Sequence, residues 1–354
     1  MIKQFKQMST EPTSIKSNPL VSVIIDNYNY GQFVGQAIDS VLDQTYKNVE
    51  LIVVDDGSTD NSRQVIESYG NRVIAIFQKN AGMGEALNTG IAHSKGEIIC
   101  LLDADDYFHK EKLAKVVVAF LEHPEWVQIT HGKTIVNREG LPIGSGPKTF
   151  SQGDVRNLLL RWGQYIWETT SALSYRREAL LQVLPIPTKR TMGADPYLTA
   201  TIPFLGPIGC INEPLMFYRQ HGNNMQARSI NLSYWNQVYE STATFINEAA
   251  AKAGLTERFE LKRNADYRSF KSLQQGGVPF IEGLHIIWIS LRESIAIGRS
   301  PNETLGKLLQ RSIFALFPNE GKEFIRFGRR GYFYFKLTGK EPKDFKLSAE
   351  ELKN

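Results

Sequence analysis

The chain has 354 residues, is 42% hydrophobic and 22% charged, and carries a formal net charge of +4. That length allows a full hydrophobic core and favours one large domain with an appendage over a single unbroken unit. The ordinary apolar fraction excludes a disordered polyelectrolyte, and so small a net charge gives no ground for nucleic acid as a partner.

Residues 1–18 are polar and rich in Lys, Ser and Thr without an apolar stretch, so they read as a disordered leader and not a signal peptide. Leu20 to Ile25 is a β-branched run that stops at the turn-prone cluster Asp26-Asn27-Tyr28-Asn29-Tyr30-Gly31. Phe33, Val34, Ala37, Ile38, Val41 and Leu42 then repeat at helical spacing, and the next strand, Val49 to Val54, runs into Asp55-Asp56-Gly57-Ser58-Thr59-Asp60. Strand, helix, strand implies a right-handed crossover and a parallel pair, so both strand ends point the same way.

A helix over Ser58 to Tyr69, a strand over Arg72 to Phe77, a Gly-rich loop at Asn80 to Gly84 and a helix over Glu85 to His93 follow. The run Ile98 to Leu102 is apolar enough for an interior parallel strand, and it delivers the chain into Asp103-Ala104-Asp105-Asp106. Ligands of open α/β sheets collect at such carboxyl ends. Clustered carboxylates repel, and a hard divalent cation is the usual remedy, although Asp103 to Asp106 also suit a helix cap. Leu113, Val116, Val117, Phe120 and Leu121 mark another helix, Trp126 to Val136 is strand-like, and Gly140 to Pro147 reads as an irregular loop. Gly82 and Gly84 form neither a P-loop nor a dinucleotide fingerprint, which leaves a site that meets a diphosphate through a metal.

Four blocks in order, Val21-Ser22-Val23-Ile24-Ile25 with Tyr28-Asn29, Glu50 to Asp60, Gly84 with Asn88 and Gly90, and Gly96-Glu97 with Leu102 to Asp106, resemble the family 2 inverting glycosyltransferases of GT-A fold. The resemblance implies a mostly parallel, Rossmann-like α/β sheet with helices on both faces and a catalytic domain over 19–228; the tail over 229–354 falls outside it and reads as a helical extension from apolar faces such as that of Trp235, Val238, Tyr239, Ala243, Phe245 and Ile246. Within that domain, 19–125 would be the nucleotide-sugar half and 126–228 the acceptor half. It implies that the Tyr28 ring stacks on the nucleotide base, that Asn27, Asp55, Asp56 and Asn88 contact the nucleotide, and that Asp103 and Asp105 hold the ribose and a Mn²⁺ or Mg²⁺ ion. Asp26 departs from the proline common at its position, without a mechanistic account.

An inverting transfer needs a base for the acceptor hydroxyl. Asp195 matches the family's segment, with helix capping ahead of Pro196 as its structural alternative and Glu168 as the competing base. Trp162, Tyr165 and Trp167 are candidate sugar platforms or core residues. Tyr218-Arg219-x-His221 matches the family's closing motif, which points to His221 as a metal or diphosphate contact. No Q-x-x-R-W follows Asp195, so transfer of a single sugar is expected, from a nucleotide-sugar donor, most plausibly UDP-linked, to a glycan or lipid-linked acceptor. The alternatives are a nucleotidyltransferase and a glycan-binding relative without activity.

Cys100 and Cys210 lie in apolar contexts with no metal spacing, which favours buried free thiols in a reducing, cytoplasmic compartment. No stretch reaches the roughly 18 apolar residues of a membrane span. The best candidate, Ile281 to Ile297, is interrupted by Glu282, His285, Arg292 and Glu293. Phe324 to Lys336 interleaves aromatics with cations, as segments at the inner face of a membrane do, and also as a basic face packed on its domain does.

Overall fold

In β1 (Val21–Asn27) every residue is buried, and side-chain alternation decides which of two cores each one enters. Val21, Val23 and Ile25 point to one face and Ile24 to the other. The computed structural model describes residues 15–188, 193–222, 224 and 232–342. Of the expected leader, 1–14 fall outside the described residues, whereas Ile15 packs on the core and the Lys16 N–H donates to Glu97.

Three further strands lie parallel to β1: β2 (Val49–Asp55), β3 (Ile74–Phe77) and β4 (Ile98–Asp103). The helices α1 (Gly31–Leu42), α2 (Ser62–Glu67) and α3 (Met83–His93) connect them. α2 is shorter than its sequence pattern because the Asp60 carboxylate ties down the Ser62 and Gly31 N–H groups ahead of it. The chain continues through β5 (Tyr107–Phe108), α4 (Lys112–Glu122), β6 (Gln128–Val136), β7 (Pro142–Ser145), α5 (Arg156–Trp162), β8 (Leu173–Arg176), α6 (Arg177–Val183), α7 (Ala194–Thr201) and β9 (Ile208–Arg219). The expected irregular loop at 140–147 is thus partly a strand, paired antiparallel with β6.

The sheet order is β3-β2-β1-β4-β8-β6-β9-β5, with β7 beside β6. β8 is the strand that breaks the parallel run, since it lies antiparallel to both β4 and β6, and β9 then pairs parallel with β6. α1, α2 and α4 cover one face through Val34, Ile38, Ile66, Leu113 and Phe120. α3, α6 and α7 cover the other through Leu87, Ile91, Leu180 and Leu198. Each such aliphatic side chain, fully buried, contributes about 1.5–3 kcal/mol. Register places Asp26 opposite Asp103 and Asn27 opposite Asp55, so the polar ends of β1, β2 and β4 share one edge.

The extension consists of α8 (Leu232–Lys252), α9 (Ala265–Gln275), α10 (Phe280–Ala296), α11 (Pro301–Leu316) and α12 (Pro318–Thr338), the last kinked at Gly328. α8 packs Ala243, Ile246 and Ala250 with Leu159 of α5 and with Phe204. An ionic knot ties α9, α10 and α11 together. Fully buried Arg311 meets Asp266 and Glu293, each at 2.8 Å, with Lys307 on Asp266 and Arg299 on Glu293. The cations Arg311 and Lys307 hold the buried Asp266 carboxyl far below its ordinary range against the opposing effect of burial.

The aromatic segment at 324–336 differs from its membrane-surface reading. Phe324, Phe327 and Tyr332 are buried in a core with Phe314 and Leu273, and only Phe333 and Tyr334 are exposed aromatics among its described side chains. Among the described residues no helix is long and apolar enough to cross a membrane.

Removing Arg311 leaves two buried carboxylates short of a cation. Arg311→Ala is expected to cost about 3–5 kcal/mol, measured as a lower urea midpoint followed by helical circular dichroism.

Candidate active site

Four carboxylates converge where β1 and β4 end. Asp103 closes β4, Asp26 sits beside it in register, and Asp105 and Asp106 follow in the turn to β5. Oxygens of Asp103, Asp105 and Asp106 lie within 4.8 Å of one another. Burial, reinforced by Asp105, pushes the Asp26 carboxyl up to about 7. Burial and the neighbouring acids Asp26, Asp106, Asp105 and Asp195 raise Asp103 well above the ordinary carboxylate range.

Asp106 is not the cap of the next helix, because α4 begins at Lys112 behind Glu111. One Asp106 oxygen accepts from the Ser171 hydroxyl at 2.7 Å and the other from the Arg219 N–H at 3.0 Å. The Arg219 guanidinium donates to the Asp105 carbonyl and to the Arg138 carbonyl, and also to Gln36, which clamps the acidic turn to α1 and to the end of β6. His221 Nε2 lies 3.0 Å from Asp105 Oδ2, where it orients that carboxylate. Asn224 also donates toward the same oxygen at 3.4 Å.

Beneath the turn, fully buried Lys112 donates to the Ser171 carbonyl at 2.8 Å and stacks on Phe108. Burial brings its ammonium down to about 7, against the opposing pull of Asp106. Lys112 carried no sequence signal of its own, since it matters only through neighbours distant in the chain. Arg219 was legible only as part of a motif.

The nucleotide-side residues separate into two kinds. Tyr28 is 46% exposed at the loop tip, free to receive a flat ring. Asn27 donates to Asp55 Oδ2 at 2.7 Å and Asp55 Oδ1 accepts from the Ser58 N–H, so these two residues hold the first two loops together. Asp56 accepts from Gln78, Ala81 and Gly82 and thereby fixes the Gly-rich loop ahead of α3. Gly57 permits that close approach: it has φ +76°, and a Cβ there would meet the Asn80 nitrogen at 2.7 Å. Asn88 spends its amide on both backbone groups of Ile186, so its side chain anchors the segment after α6 and does not point at a nucleotide.

On the acceptor side, Asp195 occupies the second position of α7 behind the N-cap Gly193. The expected capping role therefore belongs to Gly193. Burial pushes the Asp195 carboxyl up to about 6, moderated by its own N–H and by Lys133. Glu168 is buried and pairs with Lys133 at 2.7 Å. Trp162 and Tyr165 enter the core, which removes them as sugar platforms, and Trp167 is half-buried between two core clusters. Thr191 and Met192, which precede Asp195 in the matched segment, fall outside the described residues. Cys100 is a buried free thiol as expected, whereas Cys210 is half-buried.

Comparison with known proteins places this site. Staphylococcus aureus TarS 1-349, solved in complex with UDP-GlcNAc, matches with a TM-score of 0.56 at 17% identity over 93% of this chain and 95% of that one. That likeness is one of fold, and with the acidic sheet edge it defines a GT-A architecture. The profile named Glycosyl transferase family 2 matches residues 22–182. An uncharacterised glycosyltransferase of Nostoc sp. is 38% identical over 270 residues, 72% of this chain and 83% of its own. Glycosyltransferase GlyG of Streptococcus pneumoniae is 43% identical over 91 residues, 25% of this chain and 30% of that protein. The chain belongs to glycosyltransferase family 2, which sets aside the nucleotidyltransferase alternative.

The raised Asp26 carboxyl has a consequence for stability. Its folded form binds a proton that the unfolded form has released, so between about pH 4 and about pH 7 stability falls as pH rises. Asp26→Asn is expected to flatten that slope and to raise the melting temperature at pH 7.5 in EDTA by several degrees, read by calorimetry at pH 5 and pH 7.5.

Proposed function

We propose that the protein catalyses a metal-dependent, inverting transfer of a single sugar from a nucleotide donor, UDP-linked, to a glycan or lipid-linked acceptor in polysaccharide or cell-surface glycan synthesis. The observation that carries this reading is the buried Asp103 Oδ1, which finds no hydrogen-bond partner among the described residues although three further carboxylates crowd it. An orphaned oxygen in such a field suits a cation and no protein donor. Asp103 and Asp105 would hold Mn²⁺ or Mg²⁺, with His221 on Asp105 as a ligand or as the group that orients one. Bound there, the ion would supply positive charge that stabilises the departing nucleoside diphosphate.

The remaining roles follow from what each side chain can reach. Tyr28 stacks on the base, and Asn27, Asp55 and Asp56 lie at the strand ends beside it, each carboxylate retaining lone pairs for ribose or base hydroxyl and N–H groups. Asp195 takes the proton of the acceptor hydroxyl while that oxygen bonds to the anomeric carbon and the bond to the diphosphate breaks. Its carboxyl, brought to about 6, is ionised at neutral pH yet basic enough to accept that proton. Glu168 is the weaker choice because Lys133 already neutralises it. The UDP donor is supported by the fold shared with TarS, whose complex contains UDP-GlcNAc. Catalysis lies in 19–228 and the extension supports it from the acceptor side. The protein works in the cytoplasm at the inner face of the membrane.

Three measurements test this. Asp105→Ala is expected to abolish nucleotide-sugar hydrolysis that Mn²⁺ supports in the parent, and undiminished hydrolysis would remove the metal assignment. Asp195→Asn should bind nucleotide normally while transfer falls about 10²–10⁴-fold. In the parent, kcat/KM should rise with pH through about 6 as Asp195 ionises.

A further inference from the structure

The extension exposes an apolar stripe that the catalytic reading leaves unused. Along α10, Ile281, Leu284, Trp288, Leu291 and Ile295 follow one another at three- and four-residue steps and face outward, with Ile281 81%, Trp288 51% and Ile295 69% exposed. The opposite face of the same helix is fixed to the protein: Ile286 and Ile289 are buried, and Ser290 and Glu293 receive Arg311. The helix is therefore held rigidly with its apolar side out, 17 residues or about 25 Å long.

Beside the stripe runs an open groove of about 1250 Å³ that shares Trp288 with it. Six cations line the groove, Arg161, Arg258, Lys262, Arg263, Arg268 and Arg292, against the three carboxylates Glu257, Glu260 and Glu282. Lys262 and Arg263 share Glu260, and Arg268 takes Glu282. Arg258 donates to backbone carbonyls, and Arg161 and Arg292 lie over the rings of Trp162 and Trp288. Three guanidinium groups thus have no carboxylate partner among the described residues.

We infer that the outer face of α10 and its cationic groove form a docking surface for an anionic lipid bilayer, with the stripe entering the acyl boundary and the groove receiving headgroup phosphates. A rigid amphipathic helix with tryptophan at mid-face and arginines along its rim has the chemistry of an interfacial helix, not of a spanning one. Charge decides against a second copy of the chain as occupant. A two-fold contact between α10 helices would bring one cationic rim toward the other, whereas an anionic surface neutralises the excess. The contact places the molecule where a lipid-linked acceptor would be presented, but it stands independently of the sugar-transfer reading.

The test is flotation of the full chain with vesicles of phosphatidylcholine alone or with 30 mol% phosphatidylglycerol, about the anionic content at which basic segments are drawn to a surface. The parent should float with the anionic vesicles, lose most of that binding in about 0.5 M salt, and stay behind with phosphatidylcholine. Ile281→Glu with Ile295→Glu should weaken binding to anionic vesicles at least tenfold, as should Arg258→Glu with Arg292→Glu, each with an unchanged melting temperature. All four positions are at the surface. No flotation of the parent, or flotation of either double variant equal to that of the parent, overturns the inference. A concentration-dependent dimer in light scattering that Ile281→Glu with Ile295→Glu dissolves, without vesicle binding, overturns it in favour of self-association. Nucleotide-sugar hydrolysis by the parent, measured on the same preparation, reports separately on the transferase reading.

Discussion

Mutual repulsion among Asp26, Asp103, Asp105 and Asp106 is the constraint that the rest of the molecule is arranged to contain. Burial raises the Asp26, Asp103 and Asp106 carboxyls, and the neighbouring carboxylates raise the cost of ionising them further. The protein answers with three fixed groups. Arg219 braces the turn from the side, Ser171 links Asp106 to the Asp103 N–H, and Lys112 places a buried ammonium below. None of these reaches Asp103 Oδ1. The scaffold braces the cluster yet leaves Asp103 Oδ1, like Asp26 Oδ1, without a hydrogen-bond partner among the described residues, and there a dication would add the charge that the protein withholds.

The parallel pairing of β1 with β4 makes the crowding unavoidable and also useful. Strands in parallel register end together, so side chains from distant parts of the chain arrive at one edge without a long loop to position them. The backbone ladder therefore sets the spacing of Asp26 and Asp103, and a one-residue slip would send one of them into the apolar core. Precision at the site is inherited from the apolar alternation of Val21 to Ile25 and Ile98 to Leu102.

Much of this could be read from the sequence because local pattern and global fold agree in the first half of the chain. Apolar runs of strand length, helical stripes between them and acidic endings fixed the sheet edge, and the Asp103 run was identifiable as its centre. Asp26 resisted explanation for the same reason that it matters: its partner is a strand neighbour far away in sequence. Asn88 was misleading in the opposite sense, since a residue within a recognisable motif turned out to hold backbone at Ile186. The extension was legible as helices but not as a structure. Nothing in the spacing of Arg311, Asp266 and Glu293 announces that they meet in a buried knot, and the aromatic run at 324–336 looks like a surface until Phe314 and Leu273 are placed against it.

The acceptor side shows how two carboxylates in one neighbourhood are given different chemistry. Glu168 has Lys133 at 2.7 Å and the Thr169 N–H on the same oxygen, so its negative charge is met before any substrate arrives. Asp195 lies half-buried at the start of α7, where desolvation lifts its carboxyl to about 6 with Lys133 acting on it only at a distance. Different environments suit the two acids to separate tasks: Glu168, tied to a cation, holds structure, and Asp195, raised toward neutrality, can exchange a proton. Lys133 thus sorts the two acids. It is in full contact with Glu168, whereas at Asp195 burial dominates and Lys133 only adds to the lowering by that residue's own N–H, which leaves the proposed base at about 6, the balance that proton removal from an acceptor hydroxyl requires.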